Sequence, residues 1–251
     1  MLTKINGLII RDIAYGESDK MLTVLTAERG KISIAGKGVR SQKSVLRVSA
    51  HIMFYGELTL YERGDRLWLR EADEIRDFYD VSMGLEALSL VAYVFDVINE
   101  VCVDGEDEGA QLRLTLNTLH MICEKKRSLP FIKAVFEMRC AAEAGFAPLL
   151  DVSCAVCSKE GARCLYFAGG CLICADCVAD RQYAGTAAVI LPDVIRAIHH
   201  VISAAPTRIF AFRLDTESEN DFYEACELYL IAQLDRLLPT LVYLRSVLQE
   251  T

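Results

Sequence analysis

Residues 154–177 read CAVCSKEGARCLYFAGGCLICADC, a stretch that holds six of the chain's ten cysteines. A Cys-x2-Cys pair stands at each end, Cys154–Cys157 and Cys174–Cys177, with sixteen residues between the pairs. Two such pairs on short turns can place four thiolates around one tetrahedral Zn²⁺, each sulfur about 2.3 Å from the metal. The spacing therefore predicts a zinc-ribbon-like module with one zinc bound by Cys154, Cys157, Cys174 and Cys177. Four protein ligands leave no open position, so this metal would be structural.

Two further thiols, Cys164 and Cys171, lie between the pairs. Cys171 forms another Cys-x2-Cys with Cys174, so it could substitute for one member of the second pair. A second interpretation of the stretch is a set of reduced or redox-active thiols without metal, which would require an exposed thiol of low pKa. The zinc content of the purified protein distinguishes the two.

The remaining composition favours an intracellular protein. The N-terminus, Met-Leu-Thr-Lys-Ile-Asn-Gly, lacks the long apolar segment of a signal peptide. Thiols stay reduced in the cytoplasm, where clustered cysteines favour metal binding. The most apolar stretch, residues 85–103, is interrupted by acidic side chains, so no membrane span is expected. At 251 residues the chain has room for two or three small domains.

Charge is distributed unevenly along the chain. The net charge is −8, but residues 1–50 contain nine basic and four acidic side chains, which gives +5 for this segment and −13 for the rest. Between Arg29 and Gly56 there are six basic residues and no acidic one. A solvated loop would explain such a run, yet nucleic-acid binding depends on a local basic patch and not on the total charge. The candidate phosphate contacts are Lys31, Lys37, Arg40, Lys43 and Arg47.

The first 80 residues predict a five-stranded barrel of the OB type. Five β-rich runs, separated by turn residues, precede any helical pattern. An exposed face of such a barrel binds single strands, and the segment Gly36–Lys43 would be a loop on its rim. The predicted strands are Ile5–Ile13, Lys20–Thr26, Lys31–Ala35, Ile52–Tyr61 and Arg66–Arg70.

After residue 80 the hydrophobic period changes from two to 3.6, which predicts helices. The fold class is therefore α+β, with an OB-type domain at 1–80 and a helical domain at 81–251 that carries the zinc module at about 150–180. Ser128 is predicted to cap one helix, and Ser218 with Asp221 to form a capping box at the start of the last long helix. Pro239 is expected to interrupt that helix.

Catalytic patterns are missing from the sequence. The four histidines form no His-Glu-x-x-His metal motif, and no Gly-x-Ser-x-Gly nucleophile turn occurs. The segment from Gly30 to Lys37 fails the phosphate-binding P-loop pattern, because Gly38 stands where a Ser or Thr must hold magnesium. The prediction is a protein that is not an enzyme.

The arrangement resembles the RecO family of bacterial recombination mediators. The resemblance lies in Gly7-Leu8-Ile9-Ile10, in the segments Tyr15–Lys20 and Gly30–Arg40, and in Gly169-Gly170 shortly before Cys174–Cys177. The order of parts is also similar, with a barrel first, then helices, and a zinc module inside the helical region. The resemblance spans nearly the whole chain.

This resemblance implies a cytoplasmic, nucleoid-associated protein of DNA repair and homologous recombination. RecO-like proteins bind single- and double-stranded DNA and anneal complementary strands. With RecR they help RecA to load onto DNA coated by single-stranded-DNA-binding protein, whose acidic tail they bind. The alternative is a zinc-stabilised protein-interaction module in transcription or translation, which should not be retained on single-stranded DNA.

Overall fold

The computed structural model describes residues 1–80, 82–179, 183 and 186–249. The chain divides into two compact units, residues 1–123 and 124–251. The first contains the barrel strands with the first two helices, and the second contains the remaining helices and the cysteine-rich segment. The predicted division at residue 80 stays a prediction; strand structure ends at Asp77 and the first helix begins at Leu85.

The N-terminal barrel contains five strands: β1 Leu2–Tyr15, β2 Asp19–Thr26, β3 Lys31–Gly36, β4 Phe54–Arg63 and β5 Arg66–Asp77. Four antiparallel pairs and one parallel pair, β3 with β5, close the barrel in the order β1-β2-β3-β5-β4. This confirms the predicted OB-type barrel. Strand β5 continues well past the predicted end at Arg70, because its second half, from Glu71 to Asp77, pairs with β4 from Phe54 to Thr59.

Alternation along the strands fills the barrel interior with apolar side chains. Ile9, Leu22, Ile34 and Leu58 are among the residues of this core, and each is almost fully buried. Because successive side chains of a strand point to opposite faces, the intervening residues face outward. The outward face of β4 and β5 is therefore free to carry polar and aromatic side chains.

Two helices complete the first unit, α1 Leu85–Val101 and α2 Gly109–Glu124. Gly30 lies against the connection between them, with a positive φ of 55°. A Cβ at Gly30 would lie 2.1 Å from the carbonyl oxygen of Val103, so only glycine fits there.

The second unit contains helices α3 Leu129–Ala141, α5 Pro192–Ser203, α6 Thr216–Leu234 and α7 Pro239–Gln249, with a one-turn helix α4 Ala175–Val178. Ser128 caps α3 as predicted, since its hydroxyl accepts a hydrogen bond from the Phe131 amide. The predicted capping box at Ser218 is wrong. Asp215 caps α6 and accepts from the Ser218 amide, because the helix begins one turn earlier than the box implied.

The second unit contains three short strands: β6 Cys164–Tyr166, β7 Cys171–Ile173 and β8 Ala187–Val189. They form a small sheet in the order β7-β6-β8. Helix α6 contacts the chain on both sides of the first cysteine pair: the Gln233 amide donates to the Phe167 carbonyl, directly after β6, and the Tyr229 hydroxyl donates to the Phe146 carbonyl, in the segment after α3. The predicted helical region with an inserted cysteine-rich module is confirmed.

Candidate nucleic-acid interface and metal centre

The basic segment forms the connection from β3 to β4, and its apolar residues anchor it to the barrel. Val39 and Ala50 are buried in the barrel core, and Leu46 packs against that core. Lys20 ties down the far end of the segment, because its ammonium donates to the Ala50 carbonyl over 2.9 Å and pairs with Asp12. The loop is therefore held at several points along its length.

The start of this loop is fixed by a backbone turn. Gly38 adopts a positive φ of 66°, and its amide donates to the Asp19 carboxylate over 2.8 Å. The Arg40 amide donates to the Ser18 carbonyl over 2.9 Å. Lys37 and Arg40 are consequently exposed residues on an ordered turn, and the Arg40 guanidinium donates to the Gly16 carbonyl over 3.2 Å.

Four of the five predicted phosphate contacts are exposed on this loop: Lys37, Arg40, Lys43 and Arg47. Lys31 lies elsewhere. Its ammonium donates to the Asn99 carbonyl over 2.6 Å, near the C-terminal end of α1, where a cation is favoured by the helix dipole. This hydrogen bond gives Lys31 a structural role. Contact between Lys31 and DNA stays a prediction.

In a second basic run, Lys125–Arg127, two of the three cations bind partners within the protein. The Arg127 guanidinium donates to the carbonyls of Phe210 and Phe212 and lies 4.6 Å from the centre of the Phe131 ring. Lys126 pairs with Glu124 on the surface. Arg127 thus stabilises the packing of its own unit.

An aromatic pair lies beside the basic loop and was not predicted from the sequence. Tyr61 and Trp68 are direct register partners on β4 and β5, and their ring centres lie 5.8 Å apart. The signal was present in Arg66-Leu-Trp-Leu-Arg70, because Leu67 and Leu69 are buried and Trp68 must then face outward with Arg66 and Arg70. These rings adjoin a surface cleft of about 320 Å³. The cleft is lined by Lys37, Leu46, Tyr61, Arg63, Trp68, Leu69 and Arg70.

The four cysteines of the two Cys-x2-Cys pairs come together in the second unit. Their Sγ atoms all lie within 4.8 Å of one another. Cys157 Sγ is 3.7 Å from Cys174 Sγ, close to the edge of about 3.8 Å that a tetrahedron of sulfurs has around zinc. Among the described residues this is the cluster whose geometry could hold one metal ion.

Short turns position both pairs. The Ser158 amide donates to the Cys154 carbonyl and the Cys154 amide to the Lys159 carbonyl, which closes the first turn around the thiols. The second pair lies at the start of α4, where the Cys174 amide donates to Cys154 Sγ over 3.2 Å. Lys159 and Asp176 form a surface ion pair between the two turns.

The backbone around Cys154 favours its thiolate. Burial raises the pKa of Cys154, but hydrogen bonds from the backbone amides of Cys157, Cys174 and Val156 lower it by a larger amount. The pKa of Cys154 falls from the ordinary 9.0 to about 6. Hydrogen bonding to Cys157 and Cys174 raises the pKa of Cys177. Four thiolates this close together would repel one another, and a divalent cation would remove that repulsion. The donor set therefore fits a metal that prefers four sulfur ligands.

The two remaining thiols of the segment stay outside this group. Cys164 and Cys171 lie on β6 and β7, and burial raises the pKa of both thiols. Cys171 is paired through its strand with Tyr166 and bridges to Leu149. Its predicted role as a substitute ligand stays a prediction, and the structure does not bring it into the cluster of four.

Fold and site together define a protein with an OB-type barrel, a basic loop, and a helical unit that contains a four-cysteine centre. Two family models match the chain: "Recombination protein O N terminal" covers residues 1–78, and "Recombination protein O C terminal" covers residues 84–241. The chain therefore belongs to the RecO family of DNA repair proteins.

Curated relatives agree with this assignment along the full length. The DNA repair protein RecO of Acetivibrio thermocellus is 26% identical over 97% of this chain and 96% of the relative. That of Desulforudis audaxviator is 27% identical over 96% of this chain and 95% of the relative. None of the described helices is long and apolar enough to cross a membrane.

Proposed function

We propose that this protein is a mediator of DNA repair and homologous recombination that binds single- and double-stranded DNA and anneals complementary strands. The observation that carries the proposal is the anchored basic loop on the OB-type barrel, in a chain whose net charge is −8. Exposed cations on an ordered loop can neutralise phosphates without reading base sequence.

Annealing follows from charge neutralisation. Two complementary strands repel each other through their phosphates, and cations bound to one strand lower that repulsion. Base pairing then supplies the free energy, so the reaction requires no nucleotide hydrolysis and no catalytic residue. The loop residues Lys37, Arg40, Lys43 and Arg47 are the proposed phosphate contacts, with Lys31 as a further candidate.

The proposal includes the partners implied by family membership. With RecR, the protein would help RecA to load onto DNA coated by single-stranded-DNA-binding protein, and it would contact the acidic tail of that protein. Its proposed location is the cytoplasm, in association with the nucleoid. The proposed metal is one structural zinc bound by Cys154, Cys157, Cys174 and Cys177, which holds the small sheet and its two turns together.

Strand annealing tests this function. Complementary oligonucleotides, bare or coated with single-stranded-DNA-binding protein, are mixed with and without the protein, and duplex formation is followed over time. We expect faster annealing in both cases, and no dependence on ATP. A protein-interaction module would instead leave both rates unchanged and would not be retained on single-stranded DNA at moderate salt.

A further inference from the structure

The cleft between the β4–β5 strands and the basic loop combines two aromatic rings with several cations. We infer that it is a base-stacking site for single-stranded DNA, in which Trp68 and Tyr61 hold one or two unpaired bases. The inference rests on the proposed DNA binding. It adds a contact with the bases, whereas the loop cations are proposed to contact the phosphates. Base stacking would also make the site selective for unpaired strands, which the positive charge of the loop alone cannot do.

The rings are held in place by the barrel. Tyr61 and Trp68 are register partners, and the adjacent side chains Leu60, Leu67 and Leu69 are buried in the core. The strand backbone therefore fixes the positions from which both rings project, and no folding of a loop is needed before a base can bind. Both rings remain partly accessible to solvent.

Cations cover the ring faces in the free protein. The Lys37 ammonium lies 5.7 Å from the centre of the Trp68 ring, and the Arg70 guanidinium lies 5.2 Å from the centre of the Tyr61 ring. Such contacts are weak where water reaches them, and stacking of a nucleobase on an aromatic ring is stronger. A base can therefore displace the cations from the rings.

The cations displaced from the rings can bind the phosphate of the same nucleotide. A nucleotide whose base enters the cleft brings its phosphate to the cleft rim, where Lys37, Arg63 and Arg70 carry positive charge. Lys37 and Arg70 then each exchange a ring for a phosphate oxygen, which is the stronger partner. These two residues thus cover the rings in the free protein and contact phosphate in the complex, and Arg63 adds positive charge at the rim.

The size of the cleft agrees with this occupant. Its volume of about 320 Å³ lies at the low end of the range of roughly 300–1,000 Å³ typical of small-molecule pockets. In a duplex the bases are already stacked and paired, so their faces are closed to the rings. A base that pairs with a complementary strand must leave Trp68, and annealing would release the product from this site.

Tryptophan emission tests the inference directly, because Trp68 is the single tryptophan of the chain. The full-length protein is titrated with oligothymidylate of about 20 nucleotides, long enough for one OB-type barrel, with a duplex of matched length, and with an abasic oligomer of matched length. Anisotropy of an end label reports binding in each case. We expect strong quenching with oligothymidylate and little with the duplex or the abasic oligomer, although all three bind.

Three variants complete the test. Trp68→Ala should weaken binding of oligothymidylate about 5- to 150-fold, the range for the loss of one base stack, and should leave abasic binding nearly unchanged. Trp68→Phe should restore most of the loss, and it keeps the ring if the alanine variant does not fold. Tyr243→Ala removes a half-exposed aromatic from α7 and should change neither affinity.

The outcomes separate this inference from the proposed function. If labelled DNA binds but Trp68 emission stays constant, or the abasic oligomer quenches equally, the stacking site is excluded and phosphate binding survives. If no DNA binds to the unaltered protein at moderate salt, the proposed function itself is excluded.

Discussion

Cys154 Sγ lies 3.8 Å from Cys177 Sγ, although the two cysteines are 23 positions apart in the sequence. This distance matches the sulfur–sulfur edge of about 3.8 Å expected around a tetrahedral zinc. Cys164 and Cys171 lie between them in sequence and outside the cluster of four. The arrangement makes ligand assignment testable one cysteine at a time.

We expect Cys157→Ser to lose the metal, and Cys164→Ser and Cys171→Ser to retain one zinc per chain. Removing one of four thiolates opens the coordination shell, and structural zinc binding contributes directly to folding. The metal content is measured by elemental analysis of each purified variant, and the thermal transition is measured alongside. The Cys157 variant should also unfold at a lower temperature.

Cys164→Ser and Cys171→Ser are the matched controls, since both remove a thiol from the same segment. Loss of zinc in Cys171→Ser together with retention in Cys177→Ser would show that the ligand set is wrong.

Replacing Lys37 and Arg40 together by Ala should reduce the salt dependence of single-strand binding. Three to five phosphate contacts predict a log–log slope of about −2 to −4, from roughly 0.7 per contact. Removing two contacts should make the slope shallower by about 1.4 and slow annealing, with similar effects on different DNA sequences. Affinity is measured by anisotropy across a salt series, and circular dichroism checks that the variant folds.

Lys31→Ala is the informative comparison from the same segment. Its ammonium donates to the Asn99 carbonyl, so we expect a smaller change of slope than for the double variant. An unchanged slope in a folded Lys37/Arg40 variant would move the DNA site away from the barrel loop.

Lys133→Met should destabilise the second unit by about 3 kcal/mol or more, the range for breaking a buried ion pair. The ammonium of this buried residue lies 2.8 Å from the Glu137 carboxylate and 2.6 Å from the Glu227 carboxylate. Urea unfolding gives the free energy. Arg196→Met removes an exposed partner of Asp193 and should cost less than about 0.5 kcal/mol. Equal effects of the two variants would contradict this ranking.

Glu227→Gln should change how stability depends on pH. Burial alone would raise the pKa of Glu227, but the Arg245 hydrogen bond and the Lys133 charge hold it below its ordinary value of 4.5. A lowered folded pKa means that the carboxylate stabilises the protein above the unfolded pKa and that this contribution is lost as pH falls through the folded pKa.

The free energy of unfolding is therefore compared between the unaltered protein and Glu227→Gln from pH 7 downward. We expect a constant difference at neutral pH and a shrinking one below about pH 4.5. A difference that stays the same across this range would show that the Glu227 carboxylate keeps no depressed pKa.

The sequence by itself determined the five barrel strands, the long helices and the thiol cluster, whereas the three strands of the small sheet were not predicted. Alternation predicted five strands, the 3.6-residue period predicted the helices, and the two Cys-x2-Cys pairs predicted the thiol cluster. These features are local: they depend on the backbone geometry of a strand, a helix or a short turn, which neighbouring residues specify. The basic run between β3 and β4 was likewise predicted from the local sequence.

The tertiary structure alone decided which distant side chains meet. Strand register places Trp68 opposite Tyr61, and packing against α1 turns Lys31 toward the Asn99 carbonyl. The start of α6 at Thr216 makes Asp215 its cap in place of the predicted Ser218 box. A shift of two residues in strand register keeps the same side chains facing the core but changes every cross-strand partner, and helix ends vary by a residue or two without altering the apolar stripe, so these contacts could not be determined from the hydrophobic pattern alone.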